Sequence, residues 1–371
     1  MRIAIDARKL RDYGIGTYIR NLVRNLARID RTTDYVLIVQ PSDVEIASEL
    51  GDNFRTVPDW SGNYSVREQL SIPLDLRREK VDLFHAPHYV LPALTPCKSV
   101  VTIHDCIHLR FPQYLPNRLA YVYARSSLWI ATHRASRVLT VSETSKRDIL
   151  RYFRVPESRI DVIYNAIDER LGEAPSEAEL AEVRERYQLN DPFVLYTGNI
   201  KPHKNLERLI EAFHALRRGG GLDQVKLLII GDEISKYPAL RRAVHRYKLH
   251  KHVRFFGFVP DKTLASLYRL ASVFVFPSLY EGFGLPPLEA MAAGTPVITS
   301  NVSSLPEVVG NAAILIDPYE PESIAEAMRR VLTDAPLREE LREKGLARVK
   351  QFSWERSVQR VRQIYTEVIE S

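Results

Sequence analysis

The stretch Val273-Phe274-Val275-Phe276-Pro277-Ser278-Leu279-Tyr280-Glu281-Gly282-Phe283-Gly284-Leu285-Pro286-Pro287-Leu288-Glu289-Ala290-Met291 runs from a strand through a loop into a helix. Its first four residues are apolar on both faces, which is how a parallel strand covered by helices on each side reads. Gly282 and Gly284 allow the backbone to approach a ligand, and Pro286 and Pro287 suit a helix entry, where a missing N–H costs little. The pattern predicts a helix over 288–293 that ends near Gly294. A helix start presents N–H donors and a partial positive charge, so it can hold a phosphate. Glu289 is expected in the first turn, where the helix dipole favours its ionised form. An ionised carboxylate there can accept two hydroxyl hydrogen bonds, as a ribose diol supplies. Glu281, on the loop, would face another part of the same ligand. The plain alternative for these carboxylates is a strand–turn–helix with a capping acid.

The same alternation of apolar runs and helical patterns extends along the whole chain. Candidate strands are Arg2–Asp6, Tyr35–Gln40, Phe54–Val57, Asp82–His85, Ser99–His104, Val138–Ser142 and Ile160–Tyr164, then Phe193–Thr197, Lys226–Gly231, Val253–Phe256, Val273–Pro277, Pro296–Ser300 and Ala313–Ile316. Such alternation means doubly wound α/β layers, here in two sets. The charged segment Ile167–Leu189, with Gly172 and Pro175 near its start, separates them. The expected division is 1–167, 168–351 and a last helix over 352–371, with Trp354, Val358, Val361, Ile364, Tyr365 and Val368 on one face. A length of 371 residues agrees with two domains at roughly 100–200 residues each.

Composition narrows the class. A hydrophobic fraction of 45% and a charged fraction of 26% are ordinary for a globular protein and exclude global disorder. No window reaches the ~18 consecutive apolar residues of a membrane span. Met1-Arg2-Ile3-Ala4-Ile5-Asp6 is too short and too soon charged for a signal peptide, and Cys97 and Cys106 make neither a disulfide framework nor a zinc site. A cytoplasmic location is expected. The net charge of +6 favours anionic ligands such as nucleotide phosphates, or an acidic membrane surface, without implying nucleic acid. The basic run between Arg241 and Arg254 reads as a solvated helix face.

Ligands of open α/β sheets sit beyond the carboxyl ends of the strands, and three further clusters stand there. Tyr196-Thr197-Gly198-Asn199-Ile200-Lys201-Pro202-His203-Lys204-Asn205 places Lys204 near a helix start, suited to a phosphate, although no G-x-x-x-x-G-K-[ST] pattern is present. Tyr13-Gly14-Ile15-Gly16-Thr17-Tyr18-Ile19-Arg20 puts a glycine pair before a helix; Ile19 stands where a dinucleotide fingerprint needs its third glycine, so an NAD dehydrogenase is disfavoured. A loop whose backbone approaches a phosphate or sugar remains open for this pair. Thr102-Ile103-His104-Asp105 brings His104 to a strand end, either as a hydroxyl partner or as a structural histidine. His85 and His88 have a His-x-x-His spacing but no third ligand, so no metal is expected. No D-x-D motif is present, so a diphosphate would be neutralised by Lys, Arg, amides and helix dipoles.

With these residues in view, the chain resembles the retaining nucleotide-sugar glycosyltransferases of family 4. The carrying residues are Glu281 and Glu289 as an E-x7-E motif, flanked by Phe276-Pro277-Ser278 and Ala292-Ala293-Gly294-Thr295-Pro296-Val297. Gly198 through Lys204-Asn205, Gly14-Ile15-Gly16, His104-Asp105, Val141-Ser142-Glu143 and Asn165-Ala166-Ile167-Asp168 support it in the right order. The resemblance implies the GT-B architecture, two Rossmann-like domains facing across a cleft, with the last helix crossing back to the first domain. The second domain would bind the nucleotide sugar and the first most of the acceptor. By position, Glu289 would hold the ribose and Glu281 the sugar ring. The loop Gly282, Phe283, Gly284 and Leu285 would meet the sugar and phosphates through its amides. Lys204 would neutralise the diphosphate, His104 contact the transferred sugar, and Gly14 and Gly16 close over the phosphates. One departure is that Asn199 stands where many members carry Arg; Lys201 or His203 would then supply the missing charge.

The implied activity is retaining, metal-independent transfer of a hexose from a nucleotide diphosphate sugar, with no cofactor, to a glycan or lipid-linked acceptor in cell-surface polysaccharide synthesis. Strings such as Phe84-His85-Ala86-Pro87-His88-Tyr89 resemble mannosyltransferases, which favours GDP-mannose over UDP-glucose or another UDP-sugar. Glu281 as a covalent nucleophile is the less favoured mechanism. A nucleotide-sugar epimerase of the same fold is disfavoured by the complete Glu281/Glu289 motif, and a nucleic-acid partner is not expected. Tyr114–Arg137 mixes Tyr121, Tyr123, Leu128, Trp129 and Ile130 with Arg118, Arg125 and Arg134. That mixture fits a core helix with snorkelling arginines, or peripheral contact with an anionic membrane at the inner face of the plasma membrane.

Overall fold

The computed structural model describes residues 1–62, 64–65, 67–168, 174–232 and 234–371. Gly172 of the segment between the two sets lies outside the described residues. The chain divides into two compact units, Met1–Asn165 with Ser353–Ser371, and Ala166–Phe352.

The first unit holds β1 (Arg2–Asp6), β2 (Asp34–Val39), β3 (Phe54–Pro58), β4 (Leu83–Ala86), β5 (Lys98–Ile103), β6 (Arg137–Thr140) and β7 (Ile160–Val162). They form one parallel sheet in the order β3-β2-β1-β4-β5-β6-β7. The second unit holds β8 (Phe193–Thr197), β9 (Lys226–Ile230), β10 (Val253–Phe255), β11 (Val273–Phe276), β12 (Val297–Ser300) and β13 (Ala313–Ile316), in the order β10-β9-β8-β11-β12-β13 and again parallel. Every strand read from the sequence is found, with ends displaced by at most two residues.

Both sheets have the doubly wound order in which the chain turns back between its first and fourth strands. That fixes where loops diverge and leave a crevice: after β1 and β4 in one unit, and after β8 and β11 in the other. The strands there are wholly buried, as in Val273–Phe276 and Leu83–Ala86, because helices cover both faces.

The terminal helix Trp354–Glu370 belongs to the first unit. It buries Trp354, Val358, Val361, Ile364, Tyr365 and Val368 on one face. Its register is pinned by polar contacts: Tyr365 Oη lies 2.6 Å from His85 Nδ1, and Arg362 Nε donates to Asp30 Oδ2 at 2.8 Å. Burial lowers His85 to about 3, so its ring is a neutral hydrogen-bonding group here. His88 is likewise engaged within the unit, with Nε2 3.1 Å from Asp6 Oδ2.

The glycine pair is placed differently from the sequence expectation. Gly14 and Gly16 lie inside the first turn of the helix Tyr13–Ile29, not in a loop ahead of it. The Gly16 amide already donates to the Asp12 carbonyl at 2.9 Å, closing that turn. A Cβ on Gly16 would stand 2.4 Å from the Leu10 carbonyl oxygen, whereas one on Gly14 would meet none of the described residues within 4 Å. The two sites should therefore respond with opposite signs. Gly16→Ala is expected to cost about 1–3 kcal/mol through overpacking. Gly14→Ala, which removes chain entropy at a helical position, should stabilise by about 0.5–1 kcal/mol. Thermal unfolding of the two variants checks this; Gly16→Ala at least as stable as wild type would contradict it.

Candidate functional site

In the second unit the loops after β8 and β11 meet. After β8 the chain runs through Gly198 and Asn199 to a short turn, Pro202–Lys204, and enters the helix Leu206–Arg218. Asn205 sits between them in the left-handed conformation, φ 63°. Its side-chain Nδ2 donates to the Pro277 carbonyl at 3.1 Å and the Pro318 carbonyl at 2.6 Å. The Leu279 amide donates to the His203 carbonyl at 2.7 Å. These bonds stitch the two loops together.

The stitching delivers Lys204 to Glu281. Lys204 Nζ donates to Glu281 Oε1 at 2.6 Å, with both side chains largely but not wholly buried. The ammonium also lies 5.0 Å from the centre of the Phe276 ring. Glu281 is held from the other side, since Ser303 Oγ accepts from its amide at 3.1 Å and donates to its carbonyl at 2.7 Å. Ser304 Oγ lies 2.7 Å from the Phe283 carbonyl. The result is a fixed cation beside a loop whose backbone is anchored by hydroxyls.

The helix that follows is Leu285–Ala292, so it begins three residues before the start read from the sequence. Gly284 caps it at φ 109°, and a Cβ there would strike Leu305 Cδ2 at 2.7 Å. Pro286 and Pro287 occupy the second and third helical positions and carry no N–H. The donors at this helix start are therefore confined to the first helical amide and the loop ahead of it. Glu289 is the fifth residue of the helix, not part of its first turn.

The electrostatics of Glu289 also differ from expectation. Burial raises its carboxyl to about 7, and Asp261 and Asp168 push in the same direction. The Tyr268 hydroxyl opposes this by donating to Glu289 Oε2 at 2.8 Å. Desolvation thus outweighs the helix dipole, which is weak beyond the first turn. Tyr268 is itself buried and lies 2.6 Å from Thr197 Oγ1, making a chain from the end of β8 to the carboxylate. Sequence reasoning missed Tyr268, which lies in the otherwise ordinary amphipathic helix Asp261–Leu270.

The remaining residues are distributed as follows. Asn199 Oδ1 is buried with no hydrogen-bond partner among the described residues. Lys201 is exposed, and His203 is buried in the turn ahead of Lys204. Gly282, Phe283 and Gly284 are buried in the loop, and Leu285 is half-buried. Gly14, Gly16 and His104 belong to the first unit. There His104 follows β5; its Nε2 is 2.9 Å from the Pro87 carbonyl, so that nitrogen carries the proton. Burial lowers its pKa, which leaves Nδ1 as an acceptor on a neutral ring.

A site with this geometry invites comparison with known proteins. The model described as "Glycosyl transferases group 1" matches residues 179–348, and that described as "Glycosyltransferase Family 4" matches residues 13–171. O-antigen chain mannosyltransferase B of Escherichia coli is 38% identical over 283 residues, which is 76% of this chain and 73% of that protein. Serotype-specific mannosyltransferase WbdA of Escherichia coli is 31% identical over 290 residues, 74% of this chain but only 34% of that longer protein. Among solved structures, sucrose-phosphate synthase from Thermosynechococcus elongatus superposes with a TM-score of 0.81 at 23% identity, over 100% of this chain and 99% of that one. Anabaena HepE, solved in complex with UDP and glucose, gives 0.79 at 18% identity, over 99% of this chain and 100% of that one. The chain belongs to glycosyltransferase family 4, with the GT-B fold. It is a hexosyltransferase.

Proposed function

We propose that the chain transfers mannose from GDP-mannose to a glycan or lipid-linked acceptor in cell-surface polysaccharide synthesis, with retention of anomeric configuration and without a protein-held metal or a cofactor. The observation that carries this is the Lys204–Glu281 pair at 2.6 Å, set where β8 and β11 diverge and followed by the helix that bears Glu289. The kinship with O-antigen mannosyltransferases supports the sugar and the acceptor class.

In this mechanism the ribose diol donates to the Glu289 carboxylate. The diphosphate lies against Lys204 and the amides at the start of Leu285–Ala292. As the glycosidic bond breaks, negative charge grows on the leaving phosphate. Lys204 exchanges its contact with Glu281 for that charge, which is stabilisation where the charge develops. Glu281 then accepts a sugar hydroxyl. The acceptor hydroxyl attacks on the departing face and passes its proton to the leaving phosphate. His104 serves a sugar hydroxyl through Nδ1. The first unit takes the acceptor, and an anionic membrane at the inner face of the plasma membrane is a second partner.

A thermal-shift panel of GDP, UDP and ADP with their sugars tests the donor. A ligand present at about 100 times its Kd adds roughly 2.7 kcal/mol. GDP-mannose should give the largest shift; a larger shift with a UDP-sugar would overturn the choice of donor. Tyr268→Phe removes the hydroxyl that partly offsets the burial of Glu289. It should raise the donor KM by about threefold to tenfold with little change in kcat. Steady-state kinetics check this, and an unchanged KM would show that Tyr268 does not position Glu289.

A further inference from the structure

Four polar side chains form one hydrogen-bonded row through the interior of the first unit. Tyr365 Oη, on the terminal helix, lies 2.6 Å from His85 Nδ1 on β4, and His85 Nε2 lies 2.8 Å from Thr102 Oγ1 on β5. Thr102 Oγ1 in turn lies 3.1 Å from Tyr18 Oη, on the helix Tyr13–Ile29. None of the four is more than 1% exposed. His85 pairs with Val100 across β4 and β5, so Thr102 stands two residues on and on the same face. Burial keeps His85 neutral, so one ring nitrogen donates and the other accepts. The row therefore has a direction, and loss of any one hydroxyl disturbs all of it. Such buried, satisfied rows contribute less to stability than to a single fixed arrangement.

The row ends beside His104. Tyr18 touches both Thr102 and His104, which are two residues apart at the end of β5. Its hydroxyl reaches Thr102, and its ring meets the His104 ring edge to face, centroids 5.0 Å apart and planes at 85°. Among the described residues the imidazole itself makes one hydrogen bond, from Nε2 to the Pro87 carbonyl at 2.9 Å. The χ2 torsion of histidine is broad, so one bond leaves the ring free to rock. The Tyr18 contact is the second constraint; it fixes the ring plane and with it the direction of Nδ1. The terminal helix grips Tyr18 a second time. Trp354, about three turns before Tyr365 and on the same buried face, meets the Tyr18 ring with centroids 5.8 Å apart and planes at 66°.

We infer that Tyr18, Thr102, His85 and Tyr365 are positioning residues: through them the terminal helix sets the plane of the His104 ring and so the aim of Nδ1. For its purpose the inference rests on the reading of His104 as partner of a sugar hydroxyl; for its geometry it does not. The plain alternative is that the row only fastens the terminal helix to the sheet. That helix has other fastenings, which involve no member of the row. Arg362 Nε donates to Asp30 Oδ2 at 2.8 Å, and Lys98 Nζ donates to the Val368 carbonyl at 3.0 Å. They allow fastening and positioning to be separated.

A mutant cycle on the full chain tests it. Tyr365→Phe removes the far hydroxyl of the row and should lower kcat by about threefold to tenfold, with the donor KM within about twofold of wild type. Tyr18→Leu removes the ring that meets His104 and should lower kcat by about tenfold to thirtyfold; Tyr18→Phe, which restores the ring without the hydroxyl, should recover part of that loss. In a His104→Ala background the same substitutions should change kcat by less than about twofold, because the group they position is gone. Arg362→Gln, which loosens the same helix outside the row, should lower Tm and leave kcat unchanged. Imidazole ¹H–¹⁵N spectra give a readout that needs no turnover. Wild type should show His104 as one neutral ring protonated at Nε2; its signals should shift or split in Tyr365→Phe and stay in place in Arg362→Gln. If Tyr365→Phe does not fold, Tyr18→Phe carries the same spectral test from the other end of the row. The inference is overturned if Tyr365→Phe and Tyr18→Leu keep the wild-type kcat, or if they lower it equally in the His104→Ala background. It is also overturned if Arg362→Gln lowers kcat as much as Tyr365→Phe, or if the His104 signals do not respond to the row. No transfer by wild type, with His104 signals that do respond, removes only the transferase reading; transfer by wild type, with kcat and signals indifferent to the row, removes only this inference.

Discussion

Lys204→Ala should lower kcat by about two to three orders of magnitude while leaving the fold intact. The magnitude follows from what the ammonium does: it faces charge that appears only as the glycosidic bond breaks, and removing one such preorganised donor costs about 10²–10³ in rate. The stability cost should be small by comparison. Lys204 and Glu281 retain 12% and 14% of their side-chain exposure, so the carboxylate left behind can be hydrated. Loss of kcat with a Tm near wild type, read by GDP release and by thermal unfolding, is the expected pattern. A kcat within about fivefold of wild type would remove Lys204 from the leaving-group role.

Glu289→Gln should raise the donor KM by about a hundredfold, because one or two charge-assisted hydrogen bonds are lost and each is worth about 1.5–3 kcal/mol. It should also erase a pH dependence. The Glu289 carboxyl is raised to about 7 in the free protein, chiefly by burial. The ribose diol donates to the carboxylate and so favours its ionised form, and the complex binds fewer protons than the free protein. Affinity must therefore rise with pH, level off above about 7, and fall by up to about tenfold per unit below it. Isothermal titration across pH 6 to 8 should show proton release on binding for wild type and a flat profile for the glutamine variant. Proton uptake, or the same slope in both, would contradict this assignment.

The sequence made the strands legible because a parallel strand buried on both faces leaves an uninterrupted apolar run, as in Val273–Phe276 or Leu227–Ile230. The inward face of the terminal helix was legible for the same kind of reason, a fixed apolar period from Trp354 to Val368. Helix starts were less so. Pro286 and Pro287 mark the helix entry, yet the helix begins at Leu285 rather than 288, so they occupy its second and third positions. Gly14 and Gly16 read as a loop ahead of a helix, yet both lie in its first turn, and Gly16 is small because the Leu10 carbonyl leaves no room for a side chain. Long-range partners carried no local signal at all. Tyr268 reaches Glu289 across 21 residues, and Tyr365 reaches His85 across 280. The raised pKa of Glu289 carried no local signal either, because burial, a tertiary property, outweighs the helix dipole that sequence position suggests.

Mass spectrometry of the acceptor reads mannose transfer itself. GDP-mannose, a mannose-terminated glycan acceptor and excess chelator would be incubated with wild type, Lys204→Ala and Glu289→Gln. The expected result is acceptor extended by one hexose with wild type despite the chelator, strongly reduced rates with both variants, and recovery of Glu289→Gln but not Lys204→Ala at high donor concentration. Extension by Lys204→Ala at the wild-type rate, or no extension by wild type with any GDP- or UDP-sugar, would contradict the account.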